Sequence, residues 1–159
     1  MATASLLAPR TGIDPHPAER YEFTAPATAT TARVAREFVT AVLIAVERYP
    51  LIENARICVS DTVANVVQHA RVPVLSVEVT VHGDRVVVAV RDDDPVRRPY
   101  RRQGQAPAGD ERGRGLALVR DLASASGVAL VWDDLHIVGK QVWFELREGG
   151  GGGGITLTA

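Results

Sequence analysis

Asp61, Asn65 and His69 stand four residues apart in the stretch SDTVANVVQHA, residues 60–70. Four residues make just over one helical turn, so an acid, an amide and an imidazole share one side of a helix there. With Gln68 they fall within about a quarter-turn, and Val59, Val63, Val66 and Ala70 lie opposite. A face that only meets water more often carries Lys, Glu and Arg, which sustain helices well. Asp and Asn compete for backbone hydrogen bonds and are poor residues for a helix interior. The line therefore has the chemistry of metal and phosphate ligands. A solvated stripe is the plainer alternative, and the rest of the chain must decide between them.

Two further stretches carry chemistry. In VVVAVRDDDP, residues 86–95, an apolar strand runs into three acids and a proline. Asp92, at the strand end, is the acid held best by the fold, and it suits an exocyclic amine such as that of adenine. In ERGRGLALV, residues 111–119, Gly113 and Gly115 directly precede a helix that is expected from Leu116. Glycines there let backbone approach a ligand, and free N–H groups at a helix N-terminus favour phosphate. Arg97, Arg98, Arg101, Arg102, Arg112 and Arg114 surround that step without a lysine. Arginine forks match phosphate oxygens in pairs.

The elements that must position these groups follow from periodicity. YEF (21–23) predicts a short strand. Val34, Phe38, Val42, Ala45, Val46 and Tyr49 predict one helical face, with Thr31 as N-cap and Pro50 as stop. The polar-striped helix follows, from about Ile52 to Ala70. Leu75, Val77, Val79 and Val81 alternate with Ser76, Glu78 and Thr80 as a half-buried strand. A turn at HGD (82–84) leads to the strand Val86 to Val90. Residues 92–115 form a loop longer than compact domains usually hold without a function. Gly127 is the expected C-cap of the next helix, and strands at Val128–Trp132 and Gln141–Leu146 close the domain. The order implies an α/β two-layer sandwich: helices on one face of a mostly antiparallel sheet. Residues 1–20 read as a flexible arm, 21–147 as the domain, and 148–159 as a glycine-rich flexible tail.

Composition narrows the function classes. A net charge of −1 gives no global attraction to nucleic acid or membrane. Cys58 is the only cysteine, which rules out a disulfide within the chain and a cysteine metal cluster, and it is expected to be packed. No run approaches the ~18 apolar residues of a membrane helix, and SLLAP is too short for a signal peptide, so the expected compartment is the cytoplasm.

In this order the three stretches resemble the GHKL ATPase and kinase superfamily. The likeness is closest to its small anti-sigma-factor serine kinases of the RsbW and SpoIIAB type and their actinobacterial relatives. It spans about residues 21–147 and rests on VANVVQHA, GRGLALV and the closing GKQVWFEL. No Walker A motif is present, because the GK at 139–140 is followed by Gln141.

The resemblance implies ATP and Mg²⁺ as cofactors. Asn65 would ligate Mg²⁺, Asp61 would stand where these kinases carry a glutamate general base, and Asp92 would receive the adenine amino group. Arg112, Gly113, Arg114, Gly115 and Leu116 would wrap the phosphates, with His69 in a supporting role. The chain departs from the pattern in three places. Asp61 is one methylene shorter than glutamate, DDDP replaces the D-x-G-x-G box, and Gln141 lies near the place of a threonine that helps hold adenine.

The resemblance further implies a regulator that phosphorylates a serine of an anti-anti-sigma (STAS-type) partner, sequesters a sigma factor, or both. Its relatives are commonly homodimers. A catalytically silent ATP-binding interaction module is the alternative. A sensor histidine kinase fragment fits less well, because His16 lies between prolines in DPHPAE.

Overall fold

The computed structural model describes residues 18–94 and 111–149, with backbone alone over 111–116. The elements run β1 (Glu19–Pro26), α1 (Thr31–Ala45), a 3-10 turn (Tyr49–Leu51), α2 (Ile52–His69), β2 (Val74–Val81) and β3 (Val86–Asp92). They continue with α3 (Glu111–Leu122), β4 (Ala125–Asp133) and β5 (His136–Leu146). The sheet order is β1-β2-β3-β5-β4, and every neighbouring pair is antiparallel. All three helices lie on one face, as the alternation of the strands requires. Leu75, Val77 and Val79 of β2, Val86, Val88 and Val90 of β3, and Phe144 and Leu146 of β5 are buried beneath them. From above, Ala35, Val39 and Leu43 of α1 and Ala55, Val59, Val63 and Val66 of α2 fill the same layer.

The other sheet face is polar, and its charges are paired. Arg20 bridges to Glu78, and Glu145 accepts from Arg85 at 3.4 Å and from Arg147 at 2.8 Å. A concavity on that face is lined by Glu22, Thr24, Ser76 and Arg91, and Arg91 is itself paired with Asp93 at 3.3 Å. Those four residues share the sheet face away from α2, and Asp92 and Asp93 also border the concavity. No helix among the described residues is long and apolar enough to cross a membrane.

Several boundaries differ from the sequence reading. Helix α1 buries Thr31, Ala35, Val39, Val42 and Leu43, whereas Val34 is 47% and Tyr49 57% exposed. The helix carries two apolar stripes, and the one with smaller residues fits against α2. Phe38 keeps its inward role, half-buried and edge-on to Phe23 with ring centroids 4.7 Å apart. Thr30, not Thr31, is the N-cap; Thr31 is the first helical residue, and its hydroxyl donates to the Pro26 carbonyl, tying β1 to α1.

Gly127 is not a helix C-cap. Helix α3 stops at Leu122, and Gly127 pairs with Trp143 inside β4. A Cβ there would sit 3.0 Å from the Trp143 ring, so the glycine makes room for an indole. Strand β5 begins at His136 rather than Gln141, after a tight turn in which Asp134 adopts a positive φ of 50°. Gly139 is required by its position, because a methyl group there would run into the Asp92 backbone carbonyl.

Candidate functional site

Helix α2 turns Asn65 and one oxygen of Asp61 against protein. Asn65 is only 8% exposed, Asp61 and His69 are half-buried, and Gln68 alone is open to solvent. The opposite side, Val59, Val63 and Val66, is fully packed. A solvated stripe is thereby set aside: Asp61 and Asn65 lie on a face that other elements approach. Helix α3 packs along α2, and the C-terminal end of α2 is tied to the acidic turn, where the Arg71 N–H donates to Asp94 Oδ2 at 3.3 Å. The α2 line and the Asp92 turn are therefore neighbours at one end of the layer.

Burial penalises the charged form of Asp61 and raises its pKa above the ordinary aspartate value. Its Oδ2 is buried without a hydrogen-bond partner. The same burial, with the Asp61 charge as a lesser cause, pushes the thiol of Cys58 up to about 12, so this cysteine is packed and unreactive.

A raised aspartate pKa has a definite sign in stability. The folded state holds the proton more tightly than the unfolded state, so ionisation of Asp61 destabilises the fold as pH rises through the raised value. Asp61→Asn is therefore expected to melt higher than the parent at pH 7. Below an ordinary aspartate pKa of about 3.9 the difference is expected to vanish. Thermal melts at both pH values check this; equal melting temperatures at pH 7 would remove the burial penalty.

Asp92 closes β3 on the helix-facing side, continuing the row Val86, Val88, Val90. Its Oδ1 accepts two donors: Lys140 Nζ at 3.0 Å and the Asp94 N–H at 2.9 Å. Its Oδ2 is buried and, like that of Asp61, has no partner. Burial raises the Asp92 pKa, opposed by the Asp94 N–H and by Lys140.

The residue facing Asp92 is thus Lys140, not Gln141. The ladder pairs Asp92 with Lys140 and Arg91 with Gln141, which sends Gln141 to the other face of the sheet. Sequence reading missed Lys140. The signal was there: it is the sole lysine among 18 basic residues, and it shares parity with Val142, Phe144 and Leu146.

The glycine step is placed differently from expectation. Helix α3 starts at Glu111, not at Leu116, so Gly113 and Gly115 lie inside its first turns. Each glycine costs up to about 1 kcal/mol relative to alanine in a helix interior, and here the chain is helical despite that cost. Within the helix, the N–H groups of residues 111–113 are free of helical partners. The side chains of Arg112, Arg114 and Leu116, and all of Arg97, Arg98, Arg101 and Arg102, lie outside the described residues.

The residues present can be tested against a magnesium nucleotide. Buried side-chain oxygens are normally hydrogen-bonded, and the two orphans among the described residues are Asp61 Oδ2 and Asp92 Oδ2. One suits a hydroxyl proton and the other the N–H of a base. Among the described residues no three His, Cys, Asp or Glu side chains cluster around a metal position. Mg²⁺ needs only one or two protein oxygens when phosphates and water complete its octahedron, and the Asn65 carboxamide meets that need. The donor set fits.

A search of curated proteins finds no match to the chain. The model of the histidine kinase-like ATPase domain matches residues 25–142, well over half of the 159 residues. The matched span includes Asp61, Asn65, Asp92, Lys140 and the whole of α3. Its fold is the GHKL-type ATP-binding sandwich that the layers and the sheet display. On this match and this architecture, the chain belongs to the histidine kinase-like ATPase domain family.

Proposed function

We propose that this chain is an ATP-dependent regulator of the anti-sigma-factor kinase type, which phosphorylates a serine of an anti-anti-sigma partner. The observation that carries the proposal is Asp61: a carboxylate with a buried, partnerless oxygen and a raised pKa, one turn from Asn65 on the same helix. One turn is about 5.4 Å along the axis, close enough for both side chains to serve one reaction centre.

Asn65 would hold the metal through its carboxamide oxygen. Bound Mg²⁺-ATP would supply the phosphoryl group and neutralise charge on it. Asp92 Oδ2 would accept an N–H of the base, and the free amides that open α3 would face the phosphates. Asp61 would take the proton of the partner's serine hydroxyl as that oxygen bonds to phosphorus and ADP departs. A base works best when its pKa lies nearer the working pH, and burial moves Asp61 that way.

A second reading is favoured by the length of the Asp61 side chain. One methylene less than glutamate places the base about 1 Å short, which can cost roughly a hundredfold in rate. The chain would then be a nucleotide-binding interaction module with a sigma factor or anti-anti-sigma protein as its partner.

Transfer of labelled γ-phosphate to a purified serine-bearing partner separates the two. Transfer by the parent, faster in Asp61→Glu and lost in Asp61→Asn, is expected. Saturable ATP binding without transfer in the parent or in Asp61→Glu would leave the module reading. The same proposal carries a cytoplasmic location and a homodimer, the latter checked by the mass of the purified chain in solution.

A further inference from the structure

We propose that Lys140 determines base specificity: with Asp92 it reads two adjacent positions on the edge of the nucleotide base. The inference rests on the nucleotide reading above and assigns a residue that this reading left without a role. Lys140 and Asp92 are side by side on the helix-facing side of the sheet, with side chains only 2% and 1% exposed. Leu130 of β4 flanks the lysine on its other side. Such a pair is poor value as a structural device, because an apolar pair of similar volume is often as stable or more so. Its position at the end of the apolar row, next to exposed Asp93, is where a ligand can meet it.

The hydrogen-bond inventory is incomplete in a specific way. An ammonium group has three N–H donors. Among the described residues, Lys140 donates to Asp92 Oδ1 at 3.0 Å and to the Asp94 carbonyl at 3.2 Å, which leaves one. Asp92 has its second oxygen left over, buried and without a partner. One spare acceptor and one spare donor therefore stand side by side.

Adenine presents the complement. Its exocyclic amine is a donor, and the ring nitrogens that flank the amine, N1 and N7, are acceptors. Asp92 Oδ2 accepts from the amine, and Lys140 donates to one of those two nitrogens. A lone carboxylate would read the amine only. The lysine adds a second, charge-assisted contact, and this contact is missing when the ring nitrogen is replaced by C–H.

The test is calorimetric titration of the full chain, with Mg²⁺ present, using ATP, 1-deaza-ATP and 7-deaza-ATP. A hydrogen bond to a charged group is worth enough for at least about a tenfold change in affinity. The parent is expected to bind one deaza analogue about tenfold more weakly than ATP and the other like ATP. In Lys140→Met the discrimination is expected to disappear, with ATP falling to the level of the weaker analogue.

Equal binding of all three by the parent overturns the assignment. So does discrimination that survives in Lys140→Met, or tighter ATP binding by that variant, which would make the lysine a competitor for Asp92. The parent comparisons need no variant and decide the matter even where Lys140→Met folds poorly. If the parent binds none of the three, the nucleotide reading falls with the inference; if it binds all three alike, only Lys140 loses its role.

Discussion

Asn65→Ala is expected to lower Mg²⁺-ATP affinity at least about tenfold while leaving the fold within about 1 kcal/mol of the parent. Groups that merely support a metal ligand are worth roughly ten- to a hundredfold, so losing the ligand itself should cost no less. The small stability change follows from two opposing contributions. Asn65 is 8% exposed and is not without a partner, so its removal forfeits a polar interaction worth about 1 kcal/mol. Alanine is a better helix former than asparagine by up to about 0.7 kcal/mol, and position 65 is in the body of α2. Calorimetric titration with ATP, with and without Mg²⁺, and urea denaturation of both proteins check this. In the absence of Mg²⁺ the two proteins should bind ATP alike. A variant that binds Mg²⁺-ATP as tightly as the parent would remove Asn65 from the metal site.

Lys140→Met is expected to destabilise the chain by about 3–5 kcal/mol, the cost of leaving a buried charge without its partner. Against a total stability of roughly 5–15 kcal/mol, that loss is severe. The mechanism is specific: Asp92 is buried, Lys140 Nζ is one of two donors to its Oδ1, and its other oxygen has none. The double variant Asp92→Leu, Lys140→Met is expected to recover most of the loss, because the pair is then replaced by apolar side chains of similar volume. The deficit of the single variant should also shrink in acid. There Asp92, whose pKa burial already raises, takes up a proton and ceases to be a buried ion. Urea denaturation of the parent, both single variants and the double variant forms a complete cycle. A double variant no more stable than Lys140→Met would show that the lysine acts through packing and not through charge.

The order of elements was legible because it depends on local periodicity. In β2 the alternation of Leu75, Val77 and Val79 with Ser76 and Glu78 follows the pleat, and the observed strand buries that apolar set. The polar line of α2 was legible for the same reason, and so was Asp92 as a strand-end acid. Features that depend on tertiary choice were not. Helix α1 offers two apolar stripes, and only the partner helix selects between them. The glycines of α3 argued for a later helix start, and packing against α2 and β4 accompanies the earlier one. Gly127 looks like a terminator because a glycine after a helix usually is one, yet its neighbour across the ladder is an indole. The Asp92–Lys140 pair spans 48 residues and exists only through the register of β3 with β5. A reading displaced by one residue put Gln141 there, and in a strand that shift moves a side chain to the other face.

Gly139 gives that register a wider meaning. Because only a hydrogen atom fits where its main chain crosses the Asp92 carbonyl, the crossing point of the two strands cannot creep without a collision. The residue that follows, Lys140, is therefore held opposite Asp92. Position 140 is thus a fixed point of the fold: its side chain is aimed at Asp92 by the backbone alone, and a replacement there changes what Asp92 meets without changing where they meet.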